Sequence, residues 1–180
     1  MRFRILTFDK IDSTQTYALS LAKEGIAEGT VVISDYQTKG RGRFRRRWQS
    51  PRGKNLLFSI ILRPSRKIYK TPLITHLAAQ TVKETLEAYS NVVCTLKKPN
   101  DVLMRGKKVS GILTESHSKA HTIDYLIVGI GININSPPKN LVRGATSLFK
   151  ETQTIYSREL VFNTFLRKFA TNYRSFLHRK

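Results

Sequence analysis

The segment that most constrains this chain runs from Gly40 to Leu56 and reads Gly-Arg-Gly-Arg-Phe-Arg-Arg-Arg-Trp-Gln-Ser-Pro-Arg-Gly-Lys-Asn-Leu. Between Lys39 and Lys54 it carries eight basic side chains and no acid. Gly40 and Gly42 let the backbone come close to an anion that arginine forks can hold. A linker or a generic basic tail calls for neither the single Trp48, nor the Ser50-Pro51 turn, nor the Gly53-Lys54-Asn55 step placed just before an apolar strand. The pattern predicts a phosphate-gripping loop suspended between two rigid elements.

Those elements are legible on both sides. Thr30 to Tyr36 is β-branched and Leu56 to Leu62 is apolar throughout, so both read as strands. Arg2 to Phe8 alternates as a strand. A helix follows, capped by Asp12 or Ser13, with Tyr17, Ala18 and Leu21 inward and a stop at Gly25. Thr71-Pro72 opens the clearest helix, with Leu73, Leu77, Ala78, Val82, Leu86 and Tyr89 at three- and four-residue steps. Val92 to Leu96, Val102 to Met104, Lys108 to Thr114 and Ile123 to Ile130 read as strands, with tight turns at Arg105-Gly106 and around Ser116 to His121. Asn135 to Lys139 reads as a loop. Ser157 caps a last helix, running to Lys180, whose stripe is Phe162, Phe165, Leu166, Phe169, Tyr173 and Phe176. Strand pairs this close in sequence favour hairpins, hence an α+β fold with a mixed, largely antiparallel sheet flanked by helices.

Composition narrows the classes. At 180 residues one autonomous core is expected. No apolar run approaches the ~20 residues that cross a bilayer, and Met1 to Ile5 lacks the apolar stretch of a signal peptide, so a cytoplasmic protein with no membrane partner is expected. The lone Cys94 excludes an intramolecular disulfide, and His76, His117, His121 and His178 show no ligand spacing. The net charge of +20 raises affinity for nucleic acid, anionic membranes and acidic proteins alike and does not choose among them.

Four segments carry polar groups that folding does not need: Asp12-Ser13-Thr14-Gln15, Gln37 with the arginine loop, Lys97-Lys98-Pro99-Asn100-Asp101 with Lys107-Lys108-Val109-Ser110-Gly111, and Gly129-Ile130-Gly131-Ile132-Asn133. Each sits at a strand end or helix start, where rigid elements present groups to a shared cleft. Each also has a plainer reading: Ser13 and Thr14 could serve only as helix caps, and Pro99-Asn100-Asp101 only as a turn.

In this order, over Ile11 to Asn133, the segments resemble biotin protein ligases, which activate biotin with ATP and attach it to a lysine of a carrier domain. The resemblance implies the class II aminoacyl-tRNA synthetase/biotin synthetase-like fold. It also implies ATP and biotin as substrates, magnesium, and a biotin carboxyl carrier protein as acceptor. By the same resemblance Ser13, Thr14, Gln15 and Gln37 bind the biotin head group. Arg41, Gly42 and Arg43 lie against the biotin carboxylate and the phosphate, Lys108 bridges the two, and Gly111 lets its strand pass close to the ligand. Trp48, Arg46, Arg43, Asn100, Asp101 and Asn133 face the nucleotide, with Asp101 or Asn133 as candidate metal contacts. Arg41, Arg43 and Lys108 are the expected catalytic cations. A carboxylate attacking the α-phosphorus needs alignment and positive charge rather than a base. The later attack by a lysine amine does need a proton acceptor, for which Asp101 is a candidate equal to its use on magnesium.

Two departures stand out. The family usually has Asn where this chain has Gln15, and an aromatic residue where it has Lys98, so Lys98 either turns to solvent or the pocket wall is rebuilt. The chain starts at the catalytic segment, so residues 1–180 are expected to be a catalytic unit without a winged helix or a terminal β domain, and repression is not expected. Two rivals remain. A lipoate or octanoate ligase or transferase of the same fold needs a long apolar slot, against which Ser13, Thr14 and Gln37 argue. A basic nucleic-acid-binding protein predicts steep salt dependence and no ATP turnover.

Overall fold

The computed structural model describes residues 1–64, 71–119 and 122–178. Seven strands, β1 (Arg4–Phe8), β2 (Thr30–Ser34), β3 (Leu56–Leu62), β4 (Cys94–Lys97), β5 (Asp101–Met104), β6 (Lys107–Lys119) and β7 (Thr122–Ile132), form one sheet in the order β1-β2-β3-β7-β6-β5-β4. Only β1 and β2 run parallel; the other five neighbouring pairs are antiparallel. Helix α1 (Thr14–Lys23) supplies the crossover that a parallel pair requires. The remaining helices are α2 (Thr71–Ser90), α3 (Leu148–Thr152) and α4 (Arg158–His178). The mixed, largely antiparallel sheet flanked by helices is the expected α+β architecture.

The two faces of the sheet divide the work. One is covered by α2 and α4, where Phe58 meets Phe162 and Phe165 edge-on at centroid distances of 5.1 and 5.2 Å. This is the main core, and Ile74, Ala78, Val82 and Leu86 complete it from α2. The other face carries a smaller cluster in which Ala18 and Ala22 of α1 pack on Val32, Ile61 and Ile127. Helix α1 packs on β2, β3 and β7. Beyond it, the arginine loop covers the same face over β6 and β5.

Several boundaries differ from the sequence reading. The strand read to Tyr36 ends at Ser34, because the chain turns there to pair with the α1 approach: Tyr36 O accepts from Ile11 N, and Thr38 N and Lys39 N donate to the carbonyls of Ile11 and Asp12. Strand β4 starts at Cys94 rather than Val92. The β6–β7 hairpin is longer than read, with Ser116 to Ser118 in ladder with Leu126 to Ile123, so those residues are strand and not turn. Ala120 and His121 of that turn, and Arg179 and Lys180 of the last helix, lie outside the described residues. Helix α3 was not read; Ser147 caps it by accepting from Lys150 N at 3.0 Å.

Candidate active site

A cleft of about 410 Å³ opens on the α1 side of the sheet, floored by β3, β7, β6 and β5 and roofed by the arginine loop. Ser13, Thr14, Gln15, Gln37, Arg41, Gly42, Arg43, Arg46, Trp48, Asn100, Asp101, Lys108, Gly111 and Asn133 all line it. The four polar segments therefore converge in space, as their positions at element ends suggested.

At one end the start of α1 meets the Tyr36–Lys39 turn. Thr14 donates to Gln37 Oε1 through its backbone N at 2.7 Å and through Oγ1 at 3.1 Å. Gln37 thus satisfies one of the N–H groups that the start of α1 leaves without an intrahelical partner. Ser13 occupies the cap position, yet its hydroxyl makes no cap bond. Ser13 Oγ is buried and has no hydrogen-bond partner among the described residues. An orphaned buried hydroxyl carries a desolvation cost of about 1–3 kcal/mol, which a ligand at this end removes. The plain capping reading of Ser13 fails here. Thr14 Oγ1 and Ser59 Oγ lie 2.9 Å apart, and Ser59 Oγ donates to Gln15 Oε1 at 3.2 Å.

The glycines of β6 and β7 are seats for side chains from the opposite wall. A Cβ on Gly129 would collide with Gln15 Oε1, and one on Gly131 with the indole of Trp48. A Cβ on Gly111 would stand 3.0 Å from both Trp48 Cζ3 and the Lys108 side chain. Trp48 therefore lies flat against a floor that only glycine permits. Its Nε1 is buried and unpartnered among the described residues.

Lys108 reaches the cleft because of a bulge. The register Asp101↔Gly111 and Val102↔Ser110 shifts to Leu103↔Lys108, which leaves Val109 as the extra residue. In a regular strand Lys108 and Gly111 would face opposite sides, since alternation has a period of two. The bulge turns Val109 into the main core and Lys108 onto the cleft face beside Gly111. There Lys108 Nζ lies 2.7 Å from Asp101 Oδ1 and 5.6 Å from the Trp48 ring centroid. Asn100 is fixed nearby: its Nδ2 donates to Ile112 O at 2.9 Å, and its Oδ1 accepts from Arg43 Nη1 at 3.3 Å.

The arginine loop is itself a small hairpin. Trp48 N donates to Gly40 O at 3.0 Å and Gly42 N to Arg46 O at 2.8 Å. At its tip Phe44 and Arg45 adopt φ of 54° and 60°, left-handed values that L-residues seldom take. Phe44 is 79% exposed, and the Arg43 guanidinium stacks on its ring at 4.8 Å. The loop base is tied to the α1 approach, with Thr38 Oγ1 and Lys39 Nζ donating to Asp12 at 2.7 and 2.9 Å. Those bonds, from Thr38 first and Lys39 second, hold the Asp12 carboxyl below its usual range. Arg52 pairs with Asp9 at the other end of the segment. Arg46 is exposed on the roof, and Lys98 is exposed at the rim, so of the two alternatives Lys98 turns to solvent.

Sequence reasoning missed several lining groups. Ser59 lies on a strand read only as apolar, and Asn140 to Val142 with Ala145 form a wall that no periodicity marks. This wall is stitched to the site: Thr146 N donates to Lys108 O at 2.8 Å and Lys108 N to Gly144 O at 3.0 Å. Asn133 braces it, its Nδ2 donating to Thr146 O at 3.0 Å and its Oδ1 accepting from Asn55 Nδ2 at 3.3 Å. Both ends of the Asn133 amide are thereby engaged, which leaves Asp101 as the better-placed metal contact. Among the described residues no trio of His, Cys, Asp or Glu is grouped for a metal. One carboxylate plus phosphate oxygens is a normal donor set for magnesium, so Asp101 fits an ion that arrives with a nucleotide. No helix of the described residues is long and apolar enough to cross a membrane.

Comparison with known proteins agrees with this geometry. The profile of the biotin/lipoate A/B protein ligase family matches residues 7–133. The bifunctional ligase/repressor BirA of Bacillus spizizenii is 40% identical over 173 residues, 94% of this chain and 53% of that protein. The biotin--[acetyl-CoA-carboxylase] ligase of Paracoccus denitrificans is 35% identical over 131 residues, 72% of this chain and 54% of that one. The chain thus spans about half the length of the curated relatives it matches. The biotin protein ligase from Aquifex aeolicus in complex with biotin and ATP superposes with a TM-score of 0.84 at 34% identity, covering 98% of this chain and 73% of that one. With its fold, its ordered motifs and its profile match in agreement, the chain belongs to the biotin/lipoate A/B protein ligase family.

Proposed function

We propose that this chain is the catalytic part of a biotin protein ligase, which joins biotin to ATP as biotinyl-5′-adenylate and then passes the biotinyl group to a lysine of a biotin carboxyl carrier protein. The observation that carries this reading is the polar end of the cleft, where the orphaned Ser13 hydroxyl stands beside Thr14 and Gln37. A ureido head group offers the donors and acceptors such an end needs. A lipoyl or octanoyl chain would leave these groups unpaired, at a cost that separates the substrates strongly.

In the first step a biotin carboxylate oxygen attacks the α-phosphorus, the bond to the β-phosphate oxygen breaks, and pyrophosphate leaves. The carboxylate is already ionised at neutral pH, so the protein's task is alignment and charge. Lys108 stands on the floor and Arg43 on the roof of one cleft, on either side of where negative charge gathers. Trp48, flat on Gly111 and Gly131, walls off water. Magnesium, held on the protein side by Asp101, would neutralise phosphate charge. In the second step the carrier lysine amine attacks the acyl carbon and AMP leaves. Asp101 can take the proton in that step only in place of holding the ion, once phosphate has drawn Lys108 away.

Isothermal titration with biotin, lipoate, octanoate and a short oligonucleotide tests the reading. Saturable binding of biotin that weakens in Ser13→Ala is expected. Binding of lipoate or octanoate in place of biotin would overturn it.

A further inference from the structure

Glu115, on the cleft side of β6, is a residue no motif marks and the mechanism above does not use. It accepts from Arg41 through both terminal nitrogens, Nη1 to Oε2 at 3.0 Å and Nη2 to Oε1 at 2.7 Å, in a bidentate fork. Its Oε2 also accepts from Gln15 Nε2 at 2.9 Å. Gln15 is itself 3% exposed, seated over Gly129 and bonded to Ser59, so Glu115 is anchored on the sheet side by a buried group. The Arg41 guanidinium is therefore held against the sheet in this structure, while the residue also lines the main cleft.

The surroundings make this contact matter. A second cavity of about 570 Å³ undercuts the arginine loop, and among the described residues Leu113 and Glu115 are its only lining residues from outside the loop. Over that cavity, the Arg41–Glu115 fork is what joins roof to sheet. The other attachments, Trp48 on the glycine floor and Arg43 to Asn100, lie on the main cleft.

We propose that Glu115 is a positioning residue that latches the arginine loop to β6 through Arg41, and that Gln15 ties this latch to the head-group end of the cleft. The proposal rests on the ligase reading for its purpose, since a latched roof retains a reactive adenylate until the carrier lysine arrives. Gln15 is well suited to the coupling, because the two ends of one buried amide reach Glu115 through Nε2 and Ser59 through Oε1.

The test reads the loop itself. In ligand-free protein, trypsin should cut wild type slowly between Arg45 and Arg47, and Glu115→Gln should speed that cut about fivefold, the scale of a half-exposed ion pair. The same variant should release biotinyl-adenylate faster by a similar factor, with an unchanged melting temperature. Arg41→Glu should behave alike, and the reversed pair Arg41→Glu with Glu115→Arg should regain protection. Equal cleavage of wild type and Glu115→Gln, or no recovery in the reversed pair, overturns the latch. If wild type makes no biotinyl-adenylate while Glu115→Gln still opens the loop, the ligase reading fails and the latch stands.

Discussion

Lys108 Nζ sits 2.7 Å from Asp101 Oδ1, across a bulge that places the two on the same face of the sheet. The side chains are 35% and 24% exposed, so the pair contributes only about 0.5 kcal/mol to folding. Its value lies in holding an ammonium ready at the cleft floor until a phosphate competes for it. Lys108→Ala should therefore lower biotin-dependent ATP–pyrophosphate exchange by about 100-fold or more, the scale of losing one preorganised charge. Its melting temperature should stay near wild type. Exchange at the wild-type rate in that variant would remove Lys108 from the reaction.

Ser13 separates binding from folding. A capping serine replaced by alanine costs about 1 kcal/mol of stability. Because Ser13 makes no cap bond and its buried hydroxyl has no partner among the described residues, Ser13→Ala should keep or raise the denaturation midpoint and weaken biotin binding about tenfold. Urea melts and calorimetry on the same sample decide the matter. A destabilised protein with full affinity for biotin would restore the capping role.

Gly131→Ala should push the Trp48 indole off its seat, since the added methyl would overlap the ring. Trp48 is the only tryptophan, so its fluorescence reports the loop alone. The variant should show red-shifted emission and a raised KM for biotin, roughly tenfold. Unshifted emission would mean that the ring does not lie on this floor in solution.

Much of this arrangement was legible in the residues, and what was not has a physical reason. Arg41 to Asn55 stands out by residue type and spacing, whereas Ser13-Thr14 reads equally well as a cap and the place of Lys108 and Gly111 in the site comes with the family resemblance. The three-residue step from Lys108 to Gly111 makes sense only through the bulge, and a bulge is a property of register, invisible until β5 and β6 are paired. Glu115 carries no signal in the sequence, since the strand pattern from Lys108 stops at Thr114, whereas the ladder of β6 with β7 runs on to Lys119. Ser59 looked like filler in an apolar strand, and its hydroxyl matters only once α1 lies above it. The Asn140 to Ala145 wall has no periodicity at all; its place is set by backbone bonds to Lys108.

The charge of +20 should act more on the second half-reaction, where two protein surfaces meet, than on the first. Carrier biotinylation, measured as kcat/KM, should fall roughly tenfold between about 0.02 and 0.2 M salt, while adenylate formation changes little. Equal salt dependence of both steps would argue against electrostatic steering of an acidic carrier.

Cys94 offers a check on packing at the β4 edge. It is buried, and burial pushes its thiol up to about 11, with the Glu87 charge adding to the rise. The folded state thus holds the proton more tightly than the unfolded chain, so this group's contribution to stability is complete below the ordinary thiol range and is lost as pH rises towards about 11. Iodoacetamide at pH 8 should leave native protein unlabelled and label it in urea. Rapid labelling of native protein would show that the β4 edge opens.

The central claim, that this cleft joins biotin to ATP, is tested most directly by ATP–pyrophosphate exchange on the purified chain with biotin, lipoate or octanoate added singly. The account predicts exchange that saturates with biotin, is absent with the other two acids and falls by about 100-fold or more in Lys108→Ala. Exchange supported by lipoate or octanoate and not by biotin, or no exchange with any of the three, would contradict it.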